Sequence, residues 1–217
     1  NAGNSIASGG NFNTVLGDEA GTAITTGDSN VAIGFKALFT EDAHGTNVAI
    51  GDSALRVLNA GANGNNTAVG HEAGASMTTG IENVLIGTAS GDALTDADFN
   101  TAVGKSALGN DTLGSRNTAV GNSALQTQRF TTATDSYNSA FGFNAGGGIT
   151  TGLFNTLLGS LAGDALTDAD RNVAIGSGAL STDTLGSKSI AIGQAALFTQ
   201  NFTTATDTFN VAIGHDA

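Results

Sequence analysis

The chain has 217 residues, 32 of them Gly, with no Pro, Cys or Trp and a formal net charge of −12. Without Cys there is no disulfide framework and no thiolate metal site, and seven Lys plus Arg are too few to track a phosphate backbone, so nucleic acid is excluded as a partner. A hydrophobic share of 40% is far above that of a disordered chain, and no apolar run is long enough to cross a bilayer, so no membrane insertion is expected from this stretch.

The first element is the segment Asn13-Thr14-Val15-Leu16-Gly17, and the chain then repeats it to the end. Further copies close at Gly34, Gly51, Gly70, Gly87, Gly104, Gly121, Gly142, Gly159, Gly176, Gly193 and Gly214. The interval is 17 residues, except for 19 before Gly70 and 21 before Gly142 and Gly214. Asn stands four residues before each Gly, with Ser189 as the exception; Ala stands three after it, with Ser90 as the exception. The next position is Leu or Gly. Such self-similarity is the signature of a stacked repeat architecture.

Each copy predicts a short strand. In the second, Asn30 opens it, Val31 and Ile33 point to one face, Ala32 points to the other, and Gly34 closes it. The same slots recur at Asn47 and Gly51, at Asn66 and Gly70, and at Asn172, Ile175 and Gly176. Between copies lies turn chemistry, such as Thr25-Thr26-Gly27 and Leu113-Gly114-Ser115. Two short strands and two turns per unit make one coil of a β-solenoid or β-roll, about 12 coils in all. The Ile/Val column is expected to fill the coil. The Ala column, never polar, is expected to face a second chain, because a strand apolar on both faces is buried on both. The Asn column can form an amide ladder from coil to coil, and the Gly closing each copy should take a conformation shut to other residues.

Three longer units, around 56–65, 126–137 and 198–209, divide the single repeat domain into blocks of four coils, approximately 1–70, 71–142 and 143–214. Their insertions should emerge as loops on one side. Phe130, Tyr137, Phe202 and Phe209 flank threonines there, and aromatics beside hydroxyls are candidate contacts for a receptor or a glycan. Asp92, Asp96 and Asp98, repeated as Asp164, Asp168 and Asp170, place several carboxylates on one turn and are candidate Ca²⁺ ligands, although neither a nonapeptide Ca²⁺ roll nor an EF-hand loop is matched. No constellation of nucleophile, base and oxyanion donor emerges, so an enzyme is not expected, and no other cofactor or metal is called for.

The Asn-Val-Ala-Ile-Gly copies at 30–34, 47–51, 172–176 and 210–214 resemble the head repeats of trimeric autotransporter adhesins, the YadA-like heads. The Asn-Thr-Ala-Val-Gly copies at 66–70, 100–104 and 117–121 resemble the repeat shafts of bacteriophage tail fibres. The resemblance covers the whole chain, although the adhesin repeat is nearer 14 residues. It implies an all-β, left-handed β-roll packed as a homotrimer, extracellular, on a cell surface or a virion tail fibre. The function it implies is that of a structural and adhesive rod. A self-assembling filament of subunits stacked end to end is the alternative.

Overall fold

The computed structural model describes residues 1–217 and contains no helix. Its strands in chain order are β1 (Thr14–Leu16), β2 (Val31–Ile33), β3 (Val48–Ile50), β4 (Thr67–Val69), β5 (Val84–Ile86) and β6 (Thr101–Val103). There follow β7 (Gly114–Ser115), β8 (Thr118–Val120), β9 (Thr134–Asp135), β10 (Ser139–Phe141) and β11 (Thr156–Leu158). The last are β12 (Val173–Ile175), β13 (Gly186–Ser187), β14 (Ile190–Ile192), β15 (Thr206–Asp207) and β16 (Val211–Ile213). Twelve of them form one parallel sheet in the order β1-β2-β3-β4-β5-β6-β8-β10-β11-β12-β14-β16. The register pairs like with like: Val31 with Val48, Ala32 with Ala49, Ile33 with Ile50. Each strand is therefore one side of one coil, and the chain is a parallel β-solenoid of about 12 turns.

A second strand per coil is expected from the sequence, but the structure has it only in two places, where β7 pairs with β9 and β13 with β15. The reason is backbone conformation. Every coil puts residues at positive φ before its Asn and again after its Gly, as in Ser29, Lys36 and Leu38, and a left-handed residue interrupts an extended run. Much of the cohesion therefore lies outside the strands proper: of the 124 backbone hydrogen bonds, 24 lie within the strands, and among the other 100 many run from a turn in one coil to the same turn in the next.

The faces of the strand are reversed from the expected arrangement. The central residues Ala32, Ala49, Ala68, Ala102, Ala119, Ala140, Ala174 and Ala191, with Leu85 and Leu157, are completely buried inside the coil. The Val/Ile column points out: Ile86, Leu158, Ile190 and Ile213 are exposed, and Ile33 and Ile175 half-buried. The Ala three residues after each Gly is interior as well, as in Ala37, Ala54, Ala107 and Ala179.

Small residues line the strand side because large ones enter from the turns. Where Leu follows that Ala, as at Leu38, Leu108, Leu125 and Leu180, the Leu side chain fills the coil, and the residue three further on is polar and buried: Glu41, Asp111, Gln128 and Asp183. Where Gly follows, as at Gly74, Gly91, Gly146 and Gly163, the later residue is apolar: Met77, Leu94, Ile149 and Leu166. A Cβ on Gly91 would stand 2.8 Å from both Leu85 Cδ2 and Leu94 Cδ1. The turns supply one large side chain per coil, from either of two positions, and two coils add a second from the strand, Leu85 beside Leu94 and Leu157 beside Leu166. Leu58, which follows Leu55, breaks the rule.

Two columns hold the coils in register. Asn100 Oδ1 accepts from the Asn117 N–H at 2.9 Å, while Asn100 Nδ2 donates to the Gly114 carbonyl at 3.0 Å. The same accepting bond recurs from Asn13 to Asn172, where Ser189 N–H is the donor at 2.8 Å. Neighbouring amides also touch, Asn117 Nδ2 to Asn100 Oδ1 at 3.1 Å. In the adjoining Gly column, Gly104 has φ +135, and a Cβ there would meet the Gly121 carbonyl oxygen at 2.5 Å. Positive φ and the close approach of the next coil both demand Gly.

Candidate functional site

The outward side of the twelve-stranded sheet runs through every coil of the chain. Its third strand position is apolar in every coil, running from Leu16 through Ile33, Ile50 and Val69 to Phe141, Leu158, Ile192 and Ile213. The first position mixes Val and Ile with Thr and Ser. Within this chain nothing covers the sheet, and it forms one continuous apolar strip along the rod. Monomeric proteins rarely expose contiguous apolar surface on that scale.

Beside the strip, at the position before each Asn, runs a second column. In the C-terminal half it reads Phe99, Arg116, Tyr137, Phe154, Arg171, Lys188, Phe209, all at positive φ. The Arg116 guanidinium lies 4.5 Å from the Phe99 ring centre and 5.9 Å from that of Tyr137. Tyr137 stacks on Phe154 at 5.5 Å with 10° between the planes. Arg171 covers Phe154 at 5.2 Å, and Lys188 covers Phe209 at 5.2 Å. Asp135 and Asp207 balance the cations through Arg116 Nε at 3.0 Å and Lys188 Nζ. The ring faces thus look along the rod at one another and at cations; edges, not faces, meet the solvent. This is a stacking device that strengthens contact between coils, and it offers no open aromatic platform between Phe99 and Lys188.

The four aromatics singled out in the long units separate accordingly. Tyr137 and Phe209 belong to this column and are exposed, whereas Phe130 is buried and Phe202 half-buried. Phe130 and Phe202 anchor their loops. Their backbone N–H groups donate to Asp111 Oδ1 at 3.1 Å and Asp183 Oδ1 at 2.9 Å. Phe99 and Phe154 were readable as members of the column, because both precede an Asn, but a search confined to the loops misses them.

The aspartates expected to gather around Ca²⁺ are not brought together. Asp98 Oδ1 accepts from the Ile81 N–H and Asp170 Oδ1 from the Leu153 N–H, both at 2.8 Å. Asp96 and Asp168 accept from the hydroxyls of Thr79 and Thr151 at 2.6 and 2.7 Å. Each carboxylate is tied to the preceding coil. Asp92 and Asp164 sit earlier in the same units, on the turns that follow β5 and β11, where burial raises both carboxyls above the ordinary value, helped at Asp92 by the negative charge of Glu72. The cluster that does form is Glu41, Asp42 and His44, whose ligand atoms lie within 4.8 Å of one another. It does not suit a cation: the buried Glu41 carboxylate already accepts from the His44 and Ala60 N–H groups, each at 3.2 Å.

Comparison with known proteins returns no matching family model, no similar curated protein and no similar solved structure.

Proposed function

We propose that this chain is the rigid rod of an extracellular surface fibre, a homotrimeric adhesin head or tail-fibre shaft that carries attachment groups along its flank. The observation that carries the reading is the uncovered apolar strip. A thin solenoid has no second layer of its own, so another copy is the simplest cover, and a repeated strip offers the same surface in every coil. The resemblance of the Asn-Val-Ala-Ile-Gly copies to trimeric heads sets the number at three and the hand of the roll as left. The outward Val/Ile column, and not the interior Ala column, makes the interface. The unit of 17 residues, with its occasional additions of two or four, places broader turns on the flanks, away from the partner chains. The mechanism is mechanical: stacked coils set length and stiffness, association covers the strip, and exposed turns meet a receptor or a glycan.

Molar mass by light scattering tests the assembly. Three times 21.3 kDa is expected; a clean monomer at micromolar concentration overturns the trimer.

A further inference from the structure

The twelve strands of the sheet are parallel, so the apolar strip has two unlike margins. The residue before each Asn stands at the start of the strand, and the residue after each Gly at its end. At β10 both margins are aromatic. Tyr137 is 47% exposed and Phe143 57%, and between them Phe141, exposed as well, is the one aromatic among the third strand positions of the sheet. Tyr137 has its ring faces engaged by Phe154 and Arg116 and its edge free. Phe143 has no ring stacked on it and no cation over it in its own chain. A free edge carries partial positive charge and a free face partial negative, and the two attract in a T-shaped pair.

The two rings cannot meet within one chain, because β10 and its flanks put about 20 Å of backbone between them. Between copies the distance follows from packing. Three sheets around one axis, each about 5 Å from it (half the spacing of packed sheets), enclose a triangle with sides of about 17 Å, or about five residues. Centred on Ala140, the middle of β10, such a side ends beside Tyr137 at one corner and beside Phe143 at the other. Over the twelve strands, about 4.8 Å apart, each side presents about 900 Å², against about 800 Å² per partner in a stable complex. In a closed ring of parallel chains all copies stand at one height, since a shift by a coil would build an open helix. The start margin of one chain then meets the end margin of the next, coil for coil. No like charges are opposed: Arg116 comes opposite Asn122, and Lys188 opposite Gln194.

We infer that β10 is the anchor of the assembly: each Tyr137 edge receives the ring face of Phe143 from a second copy of the chain, and the Phe141 rings of the copies meet on the axis between these corners. Buried aromatics at the centre of an interface carry much of its binding energy. The inference rests on the trimeric rod proposed above and names the residues by which the copies hold one another.

The chain has one Tyr and no Trp, so its tyrosine emission reports Tyr137 alone. In Phe143→Ala the acrylamide quenching constant of that emission should rise roughly twofold, whether or not the variant still holds three chains, although the substituted residue is about 20 Å away in the same chain. The chain also has no Cys. The double variant Tyr137→Cys, Phe143→Cys, oxidised with copper phenanthroline, should run on a denaturing gel as a covalent trimer and nothing larger. A disulfide needs Cα atoms within about 7 Å, so none can form inside one chain. A covalent dimer as the largest product, a ladder beyond three chains, or quenching that Phe143→Ala leaves unchanged overturns the contact. If the doubly substituted chain fails to fold, the quenching of the single variant decides. A parent of three chains with neither cross-link nor change in quenching removes this inference and leaves the rod; a parent of one chain overturns both.

Discussion

Gln128 Nε2 donates to Asp111 Oδ2 at 2.6 Å, one coil away and wholly inside the solenoid. The pair is the centre of a buried polar cluster. Asp111 Oδ1 also accepts from the Gly114 and Phe130 N–H groups, both at 3.1 Å, and Gln128 Oε1 accepts from Asn138 Nδ2 at 2.9 Å. One block later the cluster is repeated by Asp183, Gln200 and Asn210. In both, the acid ties the long loop to the core. Asp111→Ala would orphan two backbone donors and an amide, at a cost of about 3 kcal/mol. The urea midpoint should fall, and amide exchange at Phe130 should accelerate before exchange in β2 and β3 changes.

Two glycine substitutions should differ sharply. Gly104→Ala forces a Cβ against the Gly121 carbonyl at φ +135, whereas Gly61 has no atom within 4 Å of a built Cβ. The first should lower stability by about 3 kcal/mol and the second by about 1 kcal/mol, the cost of positive φ alone. Melting temperatures of the two variants decide it, and equal losses would refute the role given to the Gly column.

The apolar strip is open to a direct test. Ile86→Glu combined with Leu158→Glu places charge on two exposed strand positions without disturbing the buried Leu85 or Leu157. Such a pair should reduce the molar mass to that of one chain, while the β-sheet circular dichroism is retained. Loss of the spectrum together with the mass would mean that the coil cannot stand uncovered.

Asp92 and Asp164 each contribute a pH dependence opposite in sign to that of a salt-bridged carboxylate. Burial raises both above 3.8 in the folded chain. The folded state therefore holds its protons to a higher pH than the unfolded state, and these two groups lower stability as the pH climbs from 3.8 through their raised values. The double variant Asp92→Asn, Asp164→Asn lacks this term. Its melting temperature relative to the parent should be more favourable at pH 7 than at pH 3, and a difference that is flat with pH would contradict the burial effect.

Much of the architecture was readable because Asn and Gly each solve one steric or hydrogen-bonding problem that only they solve, so their spacing marks the coil. Which way the strand faces was not. A period of two says that Val31 and Ile33 share a face and Ala32 has the other, but the alternation itself does not say which face is inside. The deciding clue lay in the turns, where Leu38 is followed by Glu41 and Gly91 by Leu94. It is a pattern of volume across positions three apart, visible only once those positions are known to meet inside one coil. The Phe99–Phe209 column escaped for a related reason: its members are a coil apart, and stacking along the rod replaces the contact with solvent that an isolated aromatic suggests.

The two ways of filling a coil also constrain how such a chain can change its length. Crossing over between a Leu-type and a Gly-type unit in the middle of a turn would join Leu to a later Leu, or Gly to a later Asp. One product fills the coil twice, an arrangement the chain carries once, at Leu55 and Leu58, and the other is a void beside an unpaired carboxylate. Exchange at the Asn column keeps each filling intact, the central strand residue included. Rods of this kind can therefore be lengthened, shortened or shuffled by whole coils, with their joints at the Asn column.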